Sequence, residues 1–196
     1  MLPELAVREL VANALIHQDF FVTGAGPMVE IFEDRIEMTN PGEPLVDTQR
    51  FVDTPPMPRN ETLASLMRRF RICEERGSGI DKVVSQIELF QLPAPLFEVP
   101  EGFTRSVLFA HKPLAGMSKA DRIRACYLHA CLCYGMRKEM TNSSLRTRFG
   151  VEKHNRSTVS RLIREAVEAR TIVPAAAPKL MRYLPFWAAV SRGDGG

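Results

Sequence analysis

Glu9, Asn13 and His17 recur every fourth residue in the stretch Glu9-Leu-Val-Ala-Asn13-Ala-Leu-Ile-His17-Gln-Asp19. On a helix this spacing stacks the three polar side chains on one face, away from the apolar positions Val7, Leu10, Val11, Ala14 and Leu15. A carboxylate and an amide oxygen one turn apart can hold Mg2+, which takes hard oxygen ligands and keeps several waters. A carboxylate in that place can also orient water for attack on a terminal phosphate. A solvated helix face has the same composition, so the stripe alone does not decide between a site and a surface.

Three later features point towards a site. The segment Ile36-Glu-Met-Thr-Asn40-Pro41-Gly42 ends on a glycine, which lets backbone approach a ligand closely. The stretch from Asn40 to Arg59 then holds Pro41, Pro44, Pro55, Pro56 and Pro58, so it is a long loop placed where a lid could sit. Last, Glu75-Arg76-Gly77-Ser78-Gly79-Ile80 opens a helix, where free N–H groups and the helix dipole favour phosphate. The same glycines also suit a plain helix–helix turn, with Gly77 ending one helix and Ser78 capping the next.

These residues need a scaffold. Helical spacing predicts a first helix over residues 4–17. Alternation from Met28 to Thr39 predicts a hairpin turning at Glu33-Asp34-Arg35. Asn60 is placed to N-cap a helix through Leu63, Leu66, Met67 and Phe70, running out near Arg76-Gly77. Ser78 with Asp81 forms a short-acid variant of the capping box for a helix to about Phe90. Strands follow near 96–99 and 104–110. The expected first module is α+β, an antiparallel sheet with helices on one face.

Charge divides the chain. Up to Pro113 there are 11 Lys and Arg against 17 Asp and Glu; beyond it there are 15 against 6. An acidic half joined to a basic one implies two modules, the second facing a polyanion. After a linker at His111–Gly116, helices are expected over about 118–134, 142–149 and 156–169, with Gly150 closing the second and Asn155 or Ser157 capping the third. A short hairpin over 171–184 completes the winged-helix pattern. The last helix buries Val159, Leu162, Ile163, Ala166 and Val167, leaving Arg156, Ser157, Ser160, Arg161 and Arg164 outside. In a helix-turn-helix reader that face meets the major groove, and arginine pairs with guanine or phosphate through parallel hydrogen bonds. Lys153 precedes the helix, Lys179 and Arg182 lie on the wing, and Arg146 and Arg148 are candidates for backbone contact. Tyr183 to Trp187 reads as a packed strand end.

Four cysteines (Cys73, Cys126, Cys131 and Cys133) show no zinc spacing and read as reduced packing residues. No apolar run reaches the roughly 18 residues of a membrane span, and no basic-then-apolar leader opens the chain. The expected setting is the cytoplasm, with no membrane partner.

In their order, these pieces resemble one family. Arg8-Glu-Leu-Val-Ala-Asn13-Ala-Leu-Ile-His17-Gln-Asp19, Asp34-Arg-Ile-Glu-Met-Thr-Asn40-Pro-Gly42, Arg59-Asn60 and Glu75-Arg-Gly-Ser-Gly-Ile80 are similar to the GHKL-like ATPase domain near the C-terminus of prokaryotic transcriptional regulators labelled ATP-dependent DNA helicase-related. That family is associated with a Schlafen/AlbA-like DNA-binding domain, which usually precedes the first helix, so the resemblance leads one to expect a C-terminal part or shortened version here. The resemblance covers about residues 3–111 and continues into the winged helix. It implies a GHKL-like α/β sandwich at 1–113, a winged helix-turn-helix at 117–196, and a nucleotide pocket over the sheet.

In that pocket Glu9 stands at the base position and Asn13 at the Mg2+ ligand. Gly42 lies on the adenine-side turn, and Gly77, Ser78 and Gly79 lie near the phosphates. Asn40 occupies the place of the usual adenine-reading aspartate. ATP and Mg2+ are the cofactors implied. The reading is a transcriptional regulator that binds double-stranded DNA through the winged helix. The first domain senses a nucleotide effector or dimerises, giving a homo-oligomer. The alternatives are a Mg2+-dependent ATPase using Glu9 and Asn13, and a non-catalytic interaction module. Without a Gly-x4-Gly-Lys-Ser/Thr loop or a motor-domain pair, a helicase is not expected.

Overall fold

The computed structural model describes residues 1–55, 57–73, 79–175 and 181–190. The chain forms two compact units, Met1–His111 and Lys112–Gly196.

The first unit is an antiparallel sheet with helices against one face. Helix α1 spans Glu4–His17, strands β1 and β2 span Met28–Ile31 and Arg35–Pro41, and helices α2 and α3 span Glu61–Arg69 and Gly79–Leu89. Strands β3 and β4 span Leu96–Glu98 and Phe103–Phe109. The strand order is β1-β2-β4-β3. Pairing puts Met38 opposite Ser106 and Asn40 opposite Thr104, so these four side chains share a face. Met38 and Leu108 close the core there with Leu10 of α1 and Val83 and Ile87 of α3. On the opposite face Glu37 accepts from Arg35 Nε at 2.6 Å and lies 3.6 Å from Arg105 Nε.

Helix α1 is not the amphipathic surface helix that its apolar stripe suggested. Ala6, Glu9, Leu10, Ala12, Ala14 and Ile16 are all buried, because α1 lies between the sheet with α3 and a second cluster built on α2. On its polar side Glu9 is buried, while Asn13 and His17 are half-buried. Helix α2 is shorter than expected. It ends at Arg69, where Arg71 takes φ 57° and Ile72 N–H reaches back to Met67 C=O. Asn60 occupies the N-cap position without capping α2. Its Nδ2 instead donates to Ile16 C=O at 2.9 Å and Gln18 C=O at 2.8 Å, satisfying carbonyls at the end of α1.

The second unit has three longer helices and a small sheet. They are α4 (Lys119–Gly135), α5 (Asn142–Arg148) and α6 (Arg156–Glu168). Strands β5 (Met140–Thr141), β6 (Ile172–Pro174) and β7 (Arg182–Pro185) pair in the order β5-β7-β6. Helix α4 opens on a full capping box from Ser118 and Asp121, and α5 on one from Thr141 and Ser144. The aromatic run after Tyr183 is packed but is not a strand end, since helix α7 (Phe186–Val190) begins there. Trp187 Nε1 donates to Tyr127 Oη at 3.0 Å, and the Trp187 ring meets Tyr134 edge-on. Cys126, Cys131 and Cys133 lie buried along α4, and burial pushes the Cys126 thiol well up. No group of three metal-ligating side chains occurs among the described residues. No helix among them is long and apolar enough to cross a membrane.

Candidate functional site

An open pocket in the first unit encloses about 1180 Å3 of space, including its solvent-facing mouth. Its floor comes from Asn40, Thr104 and Ser106 of β2 and β4. One side is the polar face of α1, with Glu9, Asn13 and His17; the other is the start of α3, with Gly79, Ile80 and Asp81. The proline-rich loop supplies the apolar wall, including Pro44, Leu45, Phe51, Met57 and Pro58.

That loop has defined internal contacts. Asp47 Oδ1 accepts from Gln49 N–H at 2.8 Å, starting a 3-10 turn over Thr48–Arg50. Phe51 packs edge-on against Phe97 of β3 at 5.2 Å, which fixes the wall to the sheet. Arg59 joins the loop to α1, donating from Nε to His17 C=O at 3.1 Å and from Nη2 to Glu43 C=O at 2.6 Å.

Glu9 is 2% exposed despite its charge. A Cβ on Gly79 would lie 3.2 Å from Glu9 Oε2, 3.8 Å from Asn13 Nδ2 and 4.0 Å from Asn13 Oδ1. Glycine at 79 therefore lets the first turn of α3 come up against both side chains. Glu9 Oε2 and Asn13 Oδ1 lie near one point, and a hard-oxygen pair of this kind suits Mg2+ shared with phosphate. Asn40 is 4% exposed, and its Nδ2 donates to Pro41 C=O at 3.1 Å. Burial, then the Arg59 charge, lowers the His17 pKa and favours the neutral imidazole.

The structure thus brings Glu9, Asn13, Asn40 and Gly79 to one cavity. Gly42 stands outside its lining. At φ 101°, its missing Cβ would sit 3.0 Å from Asp19 Cβ and 3.3 Å from the Arg59 guanidinium, so this glycine serves the loop–helix junction. Gly77 and Ser78 lie outside the described residues, as does the capping-box expectation for Ser78 with Asp81.

Asp81 is a pocket residue that sequence reasoning assigned to capping alone. Burial, with the Asp53 charge second, raises its pKa to about 6. A folded-state value above the unfolded one means that Asp81 contributes stability fully below pH 4 and loses it as pH rises through about 6. Replacing it with asparagine should therefore flatten urea stability over that window. The variant should gain roughly 1 kcal/mol at pH 7, after discounting for its partial exposure. Equal pH dependence in both proteins would remove this assignment.

In the second unit Lys153, Arg156, Ser157, Ser160, Arg161 and Arg164 are all exposed on α6 and the turn before it. Asn142 Nδ2 donates to Ser160 Oγ at 3.0 Å and to Arg156 C=O at 3.2 Å, tying α5 to α6. Arg182 is paired with Glu139 at 3.1 Å. Lys179 lies outside the described residues. Arg148, expected near a nucleic-acid backbone, is instead buried at 4% exposure with its guanidinium over Phe149. Arg146 is half-buried and bonded to Asn142 and Ser143.

Residues 24–108 match the family described as "Putative ATP-dependent DNA helicase recG C-terminal". The match relates the sheet, the loop wall and α3 to an ATPase-related domain, while Glu9 and Asn13 precede the matched residues. The crystal structure of the DIP2311 protein from Corynebacterium diphtheriae resembles this chain with a TM-score of 0.53, at 15% identity over 94% of it. This chain spans 50% of that protein's length, and the likeness is one of fold. No curated protein matches significantly.

Proposed function

We propose that this chain is a ligand-responsive, DNA-binding regulator whose first unit takes a nucleotide. The convergence of Glu9, Asn13, Asn40 and Gly79 on one pocket, from three elements far apart in sequence, carries this reading. Glu9 and Asn13 would hold Mg2+, which supplies charge neutralisation for the phosphates. Asn40, Thr104 and Ser106 offer donors and acceptors for the polar edge of a base, and Leu45, Phe51 and Met57 offer apolar contact to its faces.

We read the second unit as a winged helix with α6 as the DNA-facing helix. Three exposed arginines on it, Arg156, Arg161 and Arg164, with Lys153 exposed on the turn before it, and the basic surplus beyond Pro113 support that reading. Regulation fits this site better than turnover, because Asn40 stands where the family resemblance leads one to expect an adenine-reading aspartate. The test is duplex-DNA titration of the full chain at two salt concentrations, with and without Mg2+–ATP. Affinity should fall steeply with salt and should shift when Mg2+–ATP is added. Binding that ignores both salt and nucleotide would sink the proposal.

A further inference from the structure

The sheet of the first unit has two margins, and they are finished differently. On one side β3 is three residues long, with Pro95 directly before it and Pro100 just beyond, so a neighbouring strand finds few free backbone groups there. On the other side stands β1. Phe32 N–H donates to Arg35 C=O at 2.9 Å, and the antiparallel ladder alternates from that pair. Met28 and Glu30 therefore turn their backbone groups to β2, and Val29 and Ile31 turn theirs outward. No strand among the described residues pairs with that outer side.

This open margin is also apolar. Glu30 is the one charge on β1, which has no lysine or proline to deter pairing. The Val29 and Ile31 side chains share a face with Met38 and Ile36, the face that packs against α1 and α3. Yet Ile31 is 78% exposed and Val29 46%. Asp19 N–H donates to Pro41 C=O at 2.8 Å, on the side of β2 that β1 occupies, so the turn after α1 brings the exposed Phe20 and Phe21 to the same margin. With Met28, these side chains expose on the order of 600 Å2, a large share of the roughly 800 Å2 that one partner buries in a standard interface.

We propose that β1 is a dimerisation edge that pairs antiparallel with β1 of a second copy of this chain. A strand edge carrying its own apolar strip is self-complementary about a two-fold axis. With the axis through Glu30, the outward N–H and C=O groups of Val29 meet those of Ile31 in the second copy, and the two sheets run on as one. The short, proline-flanked β3 margin keeps the assembly closed at two copies. This register also sets the two Glu30 side chains against each other on the face away from α1 and α3, a like-charge contact that weakens the pair.

Sedimentation of the full chain at up to about 100 µM should show a monomer–dimer equilibrium. Ile31→Pro removes an outward N–H that the hairpin does not use, and should leave monomer at every concentration with unchanged circular dichroism. Ile31→Lys should do the same by charging the edge, which keeps the test open if the proline variant does not fold. Glu30→Gln removes the like-charge contact and should tighten the dimer by up to about fivefold. Wild-type protein that stays monomeric throughout overturns the proposal. So does a dimer that survives both Ile31 substitutions, or one that Glu30→Gln fails to tighten. Larger species that grow with concentration would overturn the closed pairing.

Discussion

Duplex-DNA binding should be lost at physiological salt when Arg161 and Arg164 are both changed to glutamate. Both side chains are exposed on α6, whereas Val159, Leu162, Ile163 and Ala166 face the core, so the melting temperature of the second unit should hold. Each cationic contact to phosphate or base edge is worth about 1–3 kcal/mol, so removing two predicts a loss of at least about 30-fold, and reversing their charge more. The salt slope of the residual binding should become shallower by about 2, one unit for each lost phosphate neutralisation. Arg69→Glu on exposed surface of the first unit makes the same kind of charge change away from α6. If it costs as much per residue, binding is a property of overall charge and α6 is not the interface.

Asn60→Ala should be the most damaging polar substitution in the first unit. Asn60 Nδ2 serves the carbonyls of both Ile16 and Gln18, and its backbone N–H also donates to Ile16 at 3.1 Å. Truncation removes two hydrogen bonds and leaves the Gln18 carbonyl to find water at a part-buried junction. About 2 kcal/mol should go, seen as a melting shift of roughly 10 °C. The same end of α1 carries His17 into the pocket, and Arg59 ties it to the loop wall. Nucleotide affinity should therefore fall with stability. Asn60→Asp is the sharper comparison, because it loses the donors and sets a negative charge at a helix C-terminus. If Asn60→Asp proves as stable as wild type, the junction has been misread.

Much of the scaffold was legible because periodicity carried it. Residues 4–17, the β1–β2 hairpin and the three longer helices of the second unit follow from the spacing of apolar positions. The ends of α3, α4, α5 and α6 fell within about a residue of the expected positions, and only α2 ended well short. After α5, Gly150 takes φ 63° and Val151 N–H closes back on Arg146 C=O. The same closure ends α2, α3, α4 and α6, but there the left-handed residue is Arg71, Gln91, Arg137 or Arg170. Those residues carry no signal for that conformation, which is why α2 looked longer than it is.

The pocket was half legible. Glu9 and Asn13 stand out by type and spacing, and Asn40 through the family resemblance. Asp81 was hidden by a plausible capping role, and Thr104 and Ser106 become pocket residues only through the register of β4 on β2. Arg148 looked like surface because periodicity cannot tell that a short helix buries a guanidinium.

The pairing of β2 with β4 also sets an order of events. Arg35 meets Phe109 and Pro41 meets Phe103, with two helices and the loop wall lying between them in sequence. Closing so long a loop costs entropy before any contact repays it, and topologies dominated by such pairings fold slowly. During synthesis, α1 therefore leaves the ribosome well before the partners that bury Glu9. The second unit builds its sheet and helices from closer neighbours. A nascent chain would thus hold its pocket unfinished, with a charged residue awaiting enclosure, until β4 has been made.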